Sequence, residues 1–310
     1  MRHAHFLTAL AGLVALAACG EVQVNQSPAD GDEAFAKTVA TSTATQRPDG
    51  WNAYWYAGEA ELNTYRLTQE RYGADREGEA VLIFVTEPFL REAQVKDDGR
   101  PHDDESVSVL KLNRLERFAT GIYDYSLMGS TFTPVSADRY PHTLKSTFSA
   151  QDWCGQVWQQ TNRRGGDFEL AVRSYFQAEG DKRLKLEADY LEDELLSRVR
   201  LDPASVRTGV LRVVPSAKFS RLRHVEPAAE RATLDLAGAD GELRLTLRYP
   251  ELEREVVYRF EEDFPNRVLG WTEAYRGTRL ATAELMHTRK APYWSQNGPQ
   301  YAPLRDSLGL

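Results

Sequence analysis

Gly238-Ala239-Asp240-Gly241-Glu242-Leu243-Arg244-Leu245-Thr246-Leu247-Arg248-Tyr249 is a turn followed by a strand written in strict alternation. Successive side chains of a strand point to opposite faces, so Leu243, Leu245, Leu247 and Tyr249 share one face and Arg244, Thr246 and Arg248 the other. Ala232, Leu234 and Leu236 alternate in the same way before the turn, and Val256, Tyr258 and Phe260 after it. One apolar face and one charged face describe an antiparallel sheet with a wet side.

The pattern continues toward the N-terminus. Phe168, Leu170, Val172 and Phe176 alternate with Glu169, Arg173 and Gln177, and Leu184, Leu186, Ala188 and Tyr190 with Arg183, Lys185, Glu187 and Asp189. Arg163-Arg164-Gly165-Gly166-Asp167 and Glu179-Gly180-Asp181 have the chemistry of hairpin connections. Trp153, Val157 and Trp158 suit a short helix or a hairpin arm, and the glycine turn that follows favours the arm from Gln156 onward. From Trp51 the alternation starts with Tyr54, Tyr56, Ala60 and Leu62, then switches parity at Tyr65 and Leu67, which predicts a bulge near Asn63 and Thr64.

One segment follows helical spacing. Leu191, Leu195, Leu196 and Val199 form a stripe, with Glu192, Asp193 and Glu194 in the first turn, Arg198 and Arg200 in the last, and Pro203 beyond. That charge order complements the helix dipole. The expected fold class is therefore mainly β: a curved antiparallel sheet or half-barrel with one packed helix near 191–201. Residues 51–290 read as a single domain with Leu201 to Ser205 as its weakest boundary, and 291–310 as an irregular tail.

The first residues read as an address. Arg2, His3 and His5 precede an uncharged run from Phe6 to Ala18, which is a signal peptide's layout over residues 1–18. As a helix that run spans roughly 20 Å, short of a bilayer core of about 30 Å. Leu16-Ala17-Ala18-Cys19-Gly20 resembles the bacterial lipobox, which implies that Cys19 is lipidated and becomes the first residue of an exported protein. More than one acyl chain gives stable anchoring. Gly20, where inner-membrane lipoproteins carry Asp, implies the outer membrane, with the periplasmic face expected. Residues 19–50 then form the lipidated Cys and a polar tether, reaching roughly 30 Å as a flexible coil.

With 42% hydrophobic and 27% charged residues the chain has the composition of a folded protein. Its 46 acidic and 38 basic residues oppose general nucleic-acid binding, which needs an excess of cations. Of two cysteines only Cys154 remains once Cys19 is lipidated, and it reads as a small buried hydrophobe between Trp153 and Gly155.

No phosphate loop, nucleophile elbow, His-Glu-x-x-His or Cys-x-x-Cys is present, so no catalytic residue, metal ligand or cofactor is assigned. The loop Asp97-Asp98-Gly99-Arg100-Pro101-His102-Asp103-Asp104-Glu105 clusters carboxylates without an EF-hand spacing and reads as a solvated connection. Glu261, Glu262 and Asp263 read as acids ending a strand. Trp51, Tyr54, Trp55 and Tyr56 are either a core element or the lining of an aromatic groove. From 198 to 223 seven cations, Arg207, Arg212, Arg221 and Arg223 among them, face the single acid Asp202. Those four arginines form a candidate patch for anionic headgroups or an acidic envelope polymer; pairing with acid-rich strands after Glu251 is the alternative.

Tyr54-Trp55-Tyr56-Ala57-Gly58-Glu59-Ala60, Arg71-Tyr72-Gly73, Arg76-Glu77-Gly78, Leu82-Ile83-Phe84-Val85-Thr86-Glu87 and Trp153-Cys154-Gly155 together resemble an uncharacterised family of bacterial lipoproteins. Some members carry the label septum formation inhibitor Maf. The Ser- and Arg-rich phosphate-binding segment of the pyrophosphatases bearing that name has no counterpart here, and the resemblance brings no catalytic residues. The function expected is a non-enzymatic, lipid-anchored envelope protein binding an apolar or amphipathic ligand or an envelope partner. A scaffold without a ligand, or a hydrolase using scattered acids, are the alternatives.

Overall fold

The computed structural model describes residues 47–310, which belong to one compact unit. The segments expected to be the signal peptide, the lipidated Cys19 and most of the tether lie outside the described residues. Helix α1 (Trp51–Trp55) precedes strands β1 (Ala60–Arg71), β2 (Ala74–Leu90), β3 (Val95–Lys96), β4 (Ser106–Thr120) and β5 (Tyr123–Pro134). Strands β6 (Lys145–Asp152), β7 (Gly155–Arg164), β8 (Asp167–Ser174), β9 (Lys182–Leu186) and β10 (Tyr190–Leu191) follow. A 3-10 turn (Glu192–Glu194) leads into α2 (Leu195–Leu201), and β11 (Gly209–Val214) into α3 (Ala217–Arg223). Strands β12 (Glu230–Ala239), β13 (Glu242–Tyr249), β14 (Arg254–Glu261), β15 (Val268–Tyr275) and β16 (Thr278–Ala291) complete one sheet of sixteen.

The sheet is one long antiparallel path, broken only by the parallel β10–β11 pair. Its chain-terminal strands meet in the middle, with Ala60 opposite Ala291. The ladder does not close into a barrel, because β9 and β10 end the path on either side. Side chains bring those ends together: Phe168 on β8, Leu191 on β10 and Val214 on β11 share one apolar cluster. Close strand approach assists the curvature. A Cβ at Gly78 or Gly270 would run into the backbone carbonyl of Arg117 or Ala283.

The concave face holds the core. Leu82 and Phe84 of β2, Leu110 and Leu112 of β4, Leu245 and Leu247 of β13 and Trp271 of β15 all pack into one cluster with Leu195, Leu196 and Val199 of α2. Residues 192–201 and 217–223 thus form a plug inside the curved sheet. The outward row of β13 is polar, Arg244, Thr246 and Arg248, and that of β4 is mixed, Lys111, Asn113 and Arg117 with Leu115, whereas β2 turns Ile83 and Val85 outward under Leu308 of the tail. Among the described residues no helix is long and apolar enough to cross a membrane.

The alternation after the Gly238–Gly241 turn, the three hairpin connections and the bulge are all present, the last as a register shift between Thr64 and Tyr65. Four expectations are corrected. Trp51 to Tyr56 begin as helix α1, since Trp51 and Trp55 lie one turn apart and are buried together. Helix 191–201 starts later, after β10 and the 3-10 turn, and Glu192 and Glu194 are buried, held by ion pairs rather than displayed at a helix end. Strand β9 stops at Leu186. Cys154 is exposed on the β6–β7 turn, where Asp152 accepts the Cys154 and Gly155 N–H groups. Leu201 to Ser205 joins the plug to β11 within the single unit. The tail forms 3-10 turns, and Leu308 packs against Ala60, Leu62 and Val85.

Arg200 shows how the plug is held. Its guanidinium makes two bonds of 2.7 Å to the Glu61 carboxylate on β1, both side chains fully buried. Asn63 donates to the same carboxylate at 2.7 Å, and Arg200 donates to the Pro265 carbonyl at 2.7 Å. Removing one partner of such a pair strands the other charge. Arg200→Ala should lower stability by about 3–5 kcal/mol, read from urea unfolding, whereas Glu61→Leu with Arg200→Met should cost much less.

Candidate functional site

Glu192, Asp193 and Glu194 enter the concave space as a run of three acids, and the sheet answers with cations on its inward parity. Arg254 of β14 forks onto Glu192 at 2.6 and 2.7 Å and reaches Glu273 of β15 at 2.8 Å. Tyr249 donates to Glu192 at 2.7 Å. On the opposite wall, Arg114 and Glu116 of β4 bond at 2.6 Å, and Lys218 of α3 reaches the second Glu116 oxygen at 2.7 Å. Glu194 accepts the backbone N–H of Thr143 at 2.8 Å.

Between these groups lies a cavity of about 30 Å³ lined by Arg114, Glu116, Gly129, Thr131, Asp193 and Lys218. A space of that size holds about one water. Thr131 Oγ1 is buried on its wall without a partner, which a water would satisfy. A second cavity of about 20 Å³ lies beside it, behind Phe148 and Leu170.

The acids here split in behaviour. Burial pushes the Glu116 carboxyl up, but Arg114 and Lys218 outweigh it and hold the group at about 2. Glu61 and Glu192 are likewise buried, yet Arg200 and Arg254 hold them below the ordinary range. Asp193 goes the other way. Burial, then the charge of Glu192, raises it to about 6, against the opposing Ala217 N–H and the more distant Arg114 and Arg254. Its Oδ2 accepts the Ala217 N–H at 3.1 Å.

The candidate aromatic groove is not an open surface. Trp51 and Trp55 are buried at one end of the core, with Trp51 Nε1 donating to the Leu201 carbonyl at 3.3 Å. Tyr54 is half-buried and donates its hydroxyl to Glu61, and only Tyr56 is exposed, hydrogen-bonded to Ser108 at 2.9 Å. The arginine patch is dispersed. Arg207 pairs with Asp189 at 2.8 Å, and Arg212 is exposed on β11, its N–H bonded to the same carboxylate. Arg221 is buried against Glu179 at 2.9 Å, and Arg223 binds Glu70. Only the pairing alternative resembles this arrangement, and the partner acids precede the cations in sequence rather than follow Glu251.

The acidic loop is tied up locally. Asp104 accepts the N–H groups of Glu92 and Ala93, Asp97 meets His102 at 3.3 Å, and Glu105 binds Arg91, Arg139 and Tyr140. Glu261 is held by Arg267. Among the described residues no group of three or more His, Cys, Asp or Glu side chains is placed to hold a metal ion. An open groove of about 780 Å³ lies on the outer face, where the C-terminal Leu308 to Leu310 meets Arg66, Glu79 and Arg117.

Fold and site together define a plugged, open antiparallel shell with a charged interior. No family model matches the chain, and no curated protein matches it either.

Asp193 and its neighbours have opposite linkage. Because Asp193 titrates higher in the folded chain than its ordinary 3.8, folding is penalised progressively as pH rises from about 4 through about 6. Glu61, Glu116 and Glu192 titrate lower when folded, so their contribution is present above the ordinary carboxylate range and lost as pH falls. Asp193→Asn should therefore raise stability at pH 8 by up to about 2–3 kcal/mol, with the gain vanishing below about pH 4. Denaturant melts of both proteins across that range measure it.

Proposed function

We propose that this protein is a lipid-anchored bacterial envelope protein, exported and held at the outer membrane through Cys19, whose folded body works through contacts at its surface. The observation that carries the surface part of this reading is the filled interior. Pockets for small molecules are typically about 300–1,000 Å³, whereas the enclosed spaces between plug and sheet are about 30 and 20 Å³. Ion pairs at Glu61, Glu116 and Glu192 hold the plug in place, so emptying the interior for an acyl chain would break several buried charge pairs. The carrier arrangement is thereby disfavoured relative to an envelope partner met from outside.

The anchor part of the reading rests on the lipobox at Leu16 to Cys19 and on the resemblance to envelope lipoproteins. The polar outward row of β13 suits a face standing in water beside the bilayer. Cys19→Ala should abolish incorporation of labelled fatty acid in cells. Native mass spectrometry of the protein extracted from its own membrane should give the chain from Cys19 with covalent acyl chains and no further lipid retained. A non-covalent lipid surviving in the gas phase would restore the carrier reading; unchanged labelling of the variant would remove the anchor.

A further inference from the structure

Five large apolar or aromatic side chains in the described residues are at least 60% exposed: Ile122 at 85%, Tyr175 at 75%, Trp153 at 72%, Val210 at 67% and Tyr72 at 60%. All but Val210 lie at one end of the sheet. Tyr72 sits on the β1–β2 turn, Ile122 on the β4–β5 turn, Trp153 on the β6–β7 turn and Tyr175 just after β8. The registers place these connections together, because Gly78 pairs with Phe118, Ser126 with Gln151 and Val157 with Ser174. They are successive hairpin tips along the sheet, roughly 10 Å apart at two strand spacings each. Neighbouring tips touch. The Tyr175 ring covers Gly155, where a Cβ would come within 2.6 Å of its Cδ1, and the Tyr72 hydroxyl bonds Tyr125 beside the next turn at 2.7 Å. Tyr72 holds a left-handed backbone, φ 57°, with the Arg71 guanidinium 4.3 Å from its ring centre.

We propose that this aromatic rim is a membrane-docking edge that inserts into the interfacial layer of a zwitterionic bilayer. Trp and Tyr favour that layer, where an apolar ring and a polar tip are both accommodated. A row of tips along about 30 Å of sheet edge suits an extended fluid interface, whereas a protein partner rewards anchors gathered at the centre of a compact patch. Residues 72–75, 121–124, 152–155 and 175–181 contain acids and no lysine or arginine, and bordering arginines are engaged, Arg71 with Tyr125, Arg221 with Glu179, Arg223 with Glu70 and Arg279 with Asp75, so the attraction is apolar rather than to anionic headgroups. Geometry permits contact with the anchor's own membrane. The described chain enters at the opposite end of the sheet, and β1, twelve residues long, spans about 40 Å. The 27 residues between Cys19 and Arg47 extend to at most about 90 Å.

This edge deepens the envelope reading by naming its contact surface, yet it is tested without the anchor. In the chain from residue 19 carrying Cys19→Ala, Cys154 is the sole thiol, exposed on the rim. Labelled there with an environment-sensitive dye, the protein should show a blue shift and brightening on adding phosphatidylcholine–phosphatidylethanolamine vesicles, unchanged in high salt. Ile122→Ser with Trp153→Ser should weaken vesicle flotation by roughly tenfold or more, while Val210→Ser leaves it unchanged and thermal melts confirm that each variant is folded. No response to vesicles, a response confined to anionic vesicles and removed by salt, or equal flotation of the double variant would overturn the proposal. So would lipid-free self-association that the double variant abolishes, which would seat a second copy on the rim. Fatty-acid labelling of the wild type reports the anchor separately, so either idea can fail alone.

Discussion

A sheet of sixteen strands curved on itself leaves a concave face that it cannot cover with its own side chains, and everything else in this molecule follows from how that face is filled. The filling is residues 192–201 and 217–223. Their apolar stripe supplies the packing, and their charges supply the registration. Arg200 meets β1, Glu192 meets β14, Lys218 meets β4, and Arg223 returns to β1 near its far end. Hydrophobic contact is indifferent to small rotations of a helix against a wall, whereas a bidentate arginine–carboxylate pair is not. Each pair costs desolvation, so its value lies less in net stability than in excluding other placements of the plug. Asp193 is the exception: it carries a carboxyl into the same space opposite no forked partner, and the water-sized cavity sits at its side.

Much of the sheet was legible because period-two alternation survives wherever one face is wet. Leu243 to Tyr249 and Phe168 to Val172 read correctly for that reason. Trp51 to Tyr56 misled because aromatic residues four apart satisfy a helical face as well as a strand parity. The site was far less visible. Arg114 and Glu116 share the parity of Leu112 and Phe118, and Arg254 that of Val256 and Tyr258. Charges on an apolar row are the signal, and it was available. It was hidden by treating the cations from Arg198 to Arg223 as a surface feature, when their partners lie as far away in sequence as Glu61 and Glu116.

The rim escaped for a different reason. Tyr72, Ile122, Trp153 and Tyr175 occupy unrelated turns with no motif in common, and only the order of strands makes them neighbours. Turn residues are usually small and polar because tips face water. Bulky apolar tips at four successive hairpins depart from that habit, while Asp240-Gly241 at the opposite end keeps to it, as does Arg276-Gly277, the tip beside Tyr72 on the same end.

The pairing of β1 with β16 also orders events in time. Ala60 finds its ladder partner Ala291 only after more than two hundred intervening residues have emerged, and the plug lies between them in the chain. Strands β1 to β9 can collapse as a local meander, but one edge of β1 remains open until the last strand arrives. Closing the seam then joins two half-sheets around a plug already present. A chain that appears N-terminus first spends its longest interval with that edge bare, so its exposure to misassembly is set by how quickly the final hairpin is delivered rather than by the strength of any interior contact.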